Sequence, residues 1–142
     1  MYWGFNISID PVPASRPRVA RYGTYYAPRY EQYRKNLANI IARLGTTTDI
    51  YYSALRLEVT FIMPFPKSYS KKKRSDLDGD YCYTKPDLDN LEKALYDAMN
   101  GIIYKDDCQI VEHTVRKIWG EVGMIKVTII PLQVRATKLV PI

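Results

Sequence analysis

The chain has 142 residues, of which 46% are hydrophobic, and its formal net charge is +6. This length suits one domain with its own hydrophobic core, and the apolar content excludes a disordered chain. No apolar run approaches the roughly 18 residues of a membrane span, and the first residues lack a secretion signal, so we predict a cytoplasmic protein. The positive charge favours an anionic partner, of which nucleic acid is the most common.

The first half of the chain predicts two strands separated by a helix. Alternating apolar residues indicate a strand near residues 5–9, followed by a loop rich in Pro and Arg. Apolar residues at helical spacing predict a helix from Tyr30, with Tyr30 and Tyr33 in the core, ending at Gly45. Residues 54–63 alternate most clearly and predict a strand.

The second half begins with a long polar segment, residues 64–86, in which Ser70 is expected to cap one short helical turn. A helix is predicted from about residue 88 to residue 100. Strands at 108–119 and 124–132 are predicted to form a hairpin through the intervening GEVG. The order βαβαββ predicts one α+β domain over residues 1–142, with helices packed on a mixed sheet and an uncertain tail from residue 131.

Five aspartates lie in or beside the second predicted helix, although the chain is basic. Asp87 stands at the N-cap position, where Asp is favoured. Asp89, Lys93 and Asp97 have the spacing of an exposed ion-pair ladder. Asp106 and Asp107 suit a turn before a strand. Each acidic residue therefore has an ordinary structural explanation when it is considered alone.

Considered together, the acidic residues favour a metal site. If the six residues after the helix were extended, they would span about the 20 Å length of the helix and return Asp106 and Asp107 to Asp87 and Asp89. Carboxylates hold Mg²⁺ or Mn²⁺ against phosphate oxygens, and such ions generate hydroxide from water. Lys93 would then stabilise the developing negative charge or hold the phosphate. The pattern indicates phosphoryl-transfer chemistry on DNA.

Two basic segments are candidates for DNA contact. Arginines suit phosphates and tyrosines stack on unpaired bases, which favours DNA contact by the loop residues Arg16, Arg18, Arg21 and Tyr22. The second segment is a run of successive charges that is either a solvated face or a contact to the DNA backbone: Lys71, Lys72, Lys73 and Arg74. The single histidine, His113, is predicted to be a packed or surface residue rather than a general base.

The run KPDLDNLEKALYDAMNGIIYKDDCQIVEHTVRK resembles the RusA family of Holliday junction resolvases, as do RPR at 16–18, YYAP at 25–28 and MPFPKSYSKKKR at 63–74. The D-x-D-N-x-x-K-A element with a downstream DD is the specific part of this likeness. It implies a homodimeric endonuclease of bacteria or their prophages that nicks four-way DNA junctions with Mg²⁺ or Mn²⁺. No nucleotide cofactor is expected.

The same resemblance implies catalytic roles for Asp87, Asp89, Lys93 and Asp107, with the aspartates as metal ligands. Asp106 stays an alternative to Asp107, because the length of the loop before the DD varies in the family.

A twofold dimer would present two identical sites to the two symmetry-related phosphates of a junction. The apolar face of the last two strands is open to assignment as core, dimer interface or both: Val111, Val115, Ile125 and Val127. Two other functions stay open. One is a non-catalytic junction-binding protein, and the other is a metal-dependent nuclease for another branched substrate.

Overall fold

The strand with the clearest alternation, β4 (Ala54–Pro64), lies inside a mixed four-stranded sheet. It pairs in parallel with β5 (Ile110–Gly120) and antiparallel with β6 (Met124–Leu132). The first strand, β1 (Trp3–Ile7), pairs antiparallel with the outer side of β6. This arrangement comes from a computed structural model, which describes residues 3–16, 18–25, 27–44 and 50–133. The predicted tail lies outside the described residues from residue 134 onward.

Two long helices cover one face of this sheet. Alternate residues of β4, from Leu55 to Met63, are buried in one core with the apolar faces of α1 (Pro28–Leu44) and α3 (Leu88–Met99). Tyr30 and Tyr33 are buried on α1, as predicted. A core made from two helices and a mixed sheet confirms the α+β class. Of the helices in the described ranges, none has the length and apolar character that crossing a bilayer requires.

The predicted hairpin between the last two strands is wrong. β4 separates β5 from β6, so residues 121–123 cross the end of β4 instead of joining two paired strands. The crossing is tight at its two glycines. A Cβ on Gly120 would lie 2.4 Å from Ile62 Cγ2, and a Cβ on Gly123 would lie 2.2 Å from Asp10 Oδ1. Alternation identifies strands and their faces, but it does not specify which strands pair.

The apolar face of β5 and β6 belongs mainly to the core. Ile125 and Val127 are buried, Val115 packs partly buried against the core, and Val111 is exposed. The structure therefore supports a core position for Val115, Ile125 and Val127, but not for Val111.

Two segments outside the six predicted elements contain further secondary structure, so the chain has more elements than the order βαβαββ. The Pro- and Arg-rich segment holds a small antiparallel pair, β2 (Arg18–Ala20) and β3 (Gly23–Tyr25). The polar segment holds α2 (Lys71–Leu77), where Ser70 caps the helix by accepting the Lys73 amide, as predicted. Periodicity did not reveal β2 and β3, because three-residue strands are too short to establish a period.

Candidate functional site

α3 begins at the first predicted acidic residue. Asp87 occupies the N-cap position, as expected, but its side chain makes no capping hydrogen bond. The carboxylate instead accepts a hydrogen bond from Lys85 Nζ at 2.8 Å. This hydrogen bond and the positive charge of Lys85 lower the pKa of Asp87, and the charge of Lys117 lowers it further. Asp87 is therefore an exposed, ionised carboxylate rather than a helix cap.

The ion-pair ladder along α3 does not form. Asp89 accepts the neighbouring Asn90 amide at 2.9 Å, and Asp97 accepts the Tyr30 hydroxyl at 3.2 Å. Lys93 is exposed and forms no ion pair with any described residue. Its charge acts instead on Asp107, where it partly offsets the burial and the neighbouring acidic charges that raise the pKa of that carboxyl. Lys93 is thus available to a ligand and lies within electrostatic reach of the second acidic pair.

The second acidic pair lies at the C-terminal end of α3, not beside Asp87. The expected extended return is wrong, because residues 101–103 form a turn. In this turn Gly101 adopts φ 77° and donates its N–H to Tyr104 O at 2.8 Å. The Asp107 N–H then bonds to Asn100 Oδ1 at 3.1 Å. The two ends of α3 are about 20 Å apart at about 1.5 Å per residue, and Lys93 lies between them.

The two adjacent aspartates have different local roles. Asp106 caps the short 3-10 turn Asp107–Gln109, since its carboxylate accepts the Cys108 N–H at 3.4 Å. Gln109 Oε1 completes this cap by accepting the Asp106 N–H at 3.0 Å. Asp107 makes no such cap. Partial burial, a hydrogen bond with Asp106 and the charge of Asp106 raise the pKa of Asp107, whereas the pKa of Asp106 is lowered. Asp106 is therefore engaged in the cap of this turn, whereas the Asp107 carboxylate is not part of it.

The donor chemistry of these acidic residues fits a divalent cation. Their oxygens are hard ligands of the kind that Mg²⁺ and Mn²⁺ prefer. Partial burial and the charge of Asp106 raise the pKa of Asp107, and a cation would offset that charge. Within the described ranges, however, no three His, Cys, Asp or Glu side chains meet closely enough to hold one ion. A single chain therefore divides the potential ligands between the two ends of α3.

A polar cluster between the acidic pairs was not predicted from the sequence. His113 Nδ1 on β5 lies 2.9 Å from Glu92 Oε2 and 3.3 Å from the Tyr96 hydroxyl, both on α3. Burial and the charge of Glu92 raise the pKa of Tyr96. Glu92 and Tyr96 are four residues apart and so share a helix face. This spacing was the one signal in the sequence that could have indicated the cluster. The cluster ties the middle of α3 to β5 and agrees with a surface role for His113.

The predicted DNA-contact residues of the first basic segment are exposed wherever their side chains are described. Arg16 is exposed, and Arg21 lies 5.7 Å from the ring of the exposed Tyr22. The side chain of Arg18 lies outside the described part of the chain.

The basic run on α2 contains both exposed side chains and side chains that bind other parts of the fold. Lys71 and Lys72 are exposed, and Lys73 Nζ lies 3.8 Å from the Tyr69 ring centroid. Arg74 is committed to the fold, because it donates to Tyr69 O at 3.0 Å and pairs with Glu121 at 3.6 Å.

We expect Asp107→Asn to stabilise the metal-free protein at pH 7, by no more than about 1 kcal/mol, since solvent screens charges at this partly exposed site. The raised pKa means that the native state keeps the Asp107 proton to a higher pH than the unfolded chain does. The ionised carboxylate therefore costs stability at neutral pH, and this cost disappears below the ordinary aspartate pKa of about 3.9. Thermal unfolding in EDTA at pH 7 and pH 3 measures both limits.

The matched control is Asp76→Asn, which removes an equal charge from the exposed surface of α2. It should give no stabilisation at either pH. A loss of stability in Asp107→Asn at pH 7 would contradict the inference that the ionised Asp107 carboxylate destabilises the native state.

Comparison with known proteins agrees with the motif. A family model described as Endodeoxyribonuclease RusA matches residues 8–130, which include α3, both acidic pairs and most of the sheet. A protein of Bacillus subtilis (strain 168) named Uncharacterized protein YqaN is 33% identical to this chain over 132 residues. That alignment covers 88% of this chain and 93% of the relative. The chain therefore belongs to the RusA family of endodeoxyribonucleases.

Proposed function

We propose that the protein is a divalent-metal-dependent endodeoxyribonuclease that resolves four-way junctions by paired nicks, in the recombination and repair of bacterial or prophage DNA. The observation that carries this proposal is the surface of α3. It presents Asp89 and Lys93 to solvent without an ion pair between them. Asp107 lies within reach of the Lys93 charge, and partial burial and the adjacent Asp106 raise its pKa. A structural surface helix would use these opposite charges to pair with each other.

In this proposal Asp87, Asp89 and Asp107 hold the ion, which is Mg²⁺ or Mn²⁺. When bound, such an ion generates hydroxide at neutral pH and neutralises charge on the attacked phosphate. Lys93 binds a phosphate oxygen and stabilises the negative charge that develops there. Asp106 keeps the turn in place by capping it, so it orients Asp107 without contacting the DNA.

The protein acts as a homodimer in this proposal, for two reasons. Paired nicks require two symmetry-related sites, which a twofold dimer supplies. In addition, one chain separates its acidic pairs by the length of α3. A twofold axis perpendicular to α3 would place two copies of the helix antiparallel. Asp87 and Asp89 of one chain would then face Asp107 of the other, and each metal site would draw ligands from both chains.

We expect Asp89→Asn to retain junction binding and to lose cleavage by at least about a hundredfold, since losing even an outer partner of a metal site costs up to roughly that much. Asn keeps the shape of the side chain and removes the charge that binds the ion. Gel-shift titration in EDTA measures binding, and cleavage of an end-labelled junction in Mg²⁺ measures activity.

Asp76→Asn is the matched control for this variant, because it removes an equal charge from α2, away from the acidic pairs. It should cleave like the wild type. Unchanged cleavage by Asp89→Asn would contradict the assignment of the acidic residues.

Mixing two inactive variants tests whether the site is shared between chains. If each site uses Asp89 from one chain and Asp107 from the other, a heterodimer of Asp89→Asn and Asp107→Asn holds one intact site and one doubly defective site. We expect each variant to be inactive alone and the mixture, after subunit exchange, to nick one strand of the junction. A mixture that stays inactive, although exchange is verified by mass spectrometry, would place the whole site within one chain.

A further inference from the structure

Residues 79–82 extend the sheet beyond the outer edge of β5. The Gly79 N–H bonds to Trp119 O at 3.0 Å, and the Trp119 N–H bonds to Asp80 O at 2.9 Å. The Cys82 N–H then bonds to Lys117 O at 2.9 Å. These three backbone hydrogen bonds fix the path of the segment against a strand that would otherwise have a free edge. The end of the polar segment is thus held on the sheet immediately before α3.

This fixed path presents two tyrosine rings to solvent. Cys82 is buried in the core, and its two neighbours point outward, so that Tyr81 is 75% exposed and Tyr83 is 91% exposed. Tyr81 is itself bridged to Ile118 of β5 through the backbone. Neither ring makes a hydrogen bond or an aromatic contact with another described residue. Single exposed tyrosines are common, but two on either side of one buried anchor form a surface with a fixed backbone.

The two rings lie next to the stretch that leads into the candidate metal ligands at the start of α3. Lys117 donates to the carbonyl oxygens of Thr84 and Pro86, and so holds the stretch that joins the rings to α3. Lys85 lies on that stretch and is exposed. Asp87 is four positions after Tyr83 in the chain, a span of at most about 14 Å. At about 3.4 Å per nucleotide, this is about four nucleotides along a DNA strand.

We propose that Tyr81 and Tyr83 form a stacking platform for bases at the branch point of a DNA junction, where the stacking between adjacent arms is interrupted. This inference rests on the proposed function and names how its substrate is recognised. Aromatic side chains bind unpaired bases by stacking regardless of sequence, because every base has a π-face. A linear duplex keeps its bases stacked inside the helix and offers the platform no ligand. The platform therefore selects junctions over duplex and sets the cut within about four nucleotides of the branch point.

Photo-crosslinking tests the contact directly. A synthetic four-way junction carries 5-iodouracil in place of one thymine, either at the branch point or in the middle of an arm. The wild-type protein is bound in EDTA, so that no cleavage occurs, and is irradiated and mapped by mass spectrometry. We expect the branch-point probe to crosslink to Tyr81 or Tyr83 and the arm probe to crosslink to neither. Branch-point crosslinks that map only to other residues would overturn the proposal.

Two matched double variants test whether the aromatic ring itself matters. Tyr81→Leu/Tyr83→Leu removes the rings and keeps apolar side chains, and it should reduce the preference for junction over duplex roughly tenfold or more. Tyr81→Phe/Tyr83→Phe keeps both rings and should keep the preference. Tyr52→Leu is the control, since Tyr52 is 73% exposed and lies near the opposite end of β5. It should bind like the wild type.

The outcomes separate this proposal from the proposed function. An unchanged junction preference in the double Leu variant, or no junction preference in the wild type, would overturn the platform. A platform that crosslinks as expected on a wild-type protein that never cleaves with Mg²⁺ or Mn²⁺ would overturn the nuclease function alone. Thermal unfolding of both double variants checks that their folds are intact.

Discussion

The parallel pairing of β4 with β5 is the constraint on which the site depends. Parallel neighbours cannot be joined by a hairpin, so the chain must cross from the end of β4 back to the start of β5, and it does so through α2 and α3. α3 therefore packs over the sheet with Asp87 at its start and Asp107 just after its end. The Glu92–His113 contact and the buried apolar face of α3 hold this crossover on the sheet.

The distribution of charge follows from this geometry. A chain of net charge +6 attracts the DNA backbone over its surface, while a few acidic residues at the ends of one helix attract cations. Partial burial of Asp107 and the charge of Asp106 beside it raise the pKa of Asp107, so the ionised carboxylate is unfavourable for folding. Residues that cost stability and remain exposed near a free lysine are typical of sites whose ligand supplies the missing charge.

The sequence alone predicted the parts of the fold that are set by local periodicity. The apolar spacing of β4, α1 and α3 fixed their type and buried faces, and Ser70 and Asn100–Gly101 marked helix ends at the expected places. It did not predict that β5 and β6 lie on opposite sides of β4, because alternation identifies strands and their faces but not their pairing partners. The hairpin of β2 and β3 was not predicted, because its strands are only three residues long.

The candidate site was likewise predictable only where it depends on local geometry. The spacing of Asp87, Asp89 and Lys93 on one helix was readable, because helical geometry is local. The position of Asp107 was not, since Gly101 turns the chain back onto the end of α3 and replaces the expected extended return. Glu92, Tyr96 and His113 come together only through the packing of α3 on β5. Likewise, the outward direction of Tyr81 and Tyr83 depends on the burial of Cys82.

The most direct measurement of the central claim is cleavage of an end-labelled synthetic four-way junction beside a linear duplex made from the same arms. Each substrate is incubated with the wild-type protein in Mg²⁺, in Mn²⁺ and in EDTA. The account predicts paired, symmetric nicks in the junction that require the metal and do not occur in the duplex. Tight binding of the junction without a nick under any metal would contradict it, and would mean that the acidic residues of α3 serve only the fold.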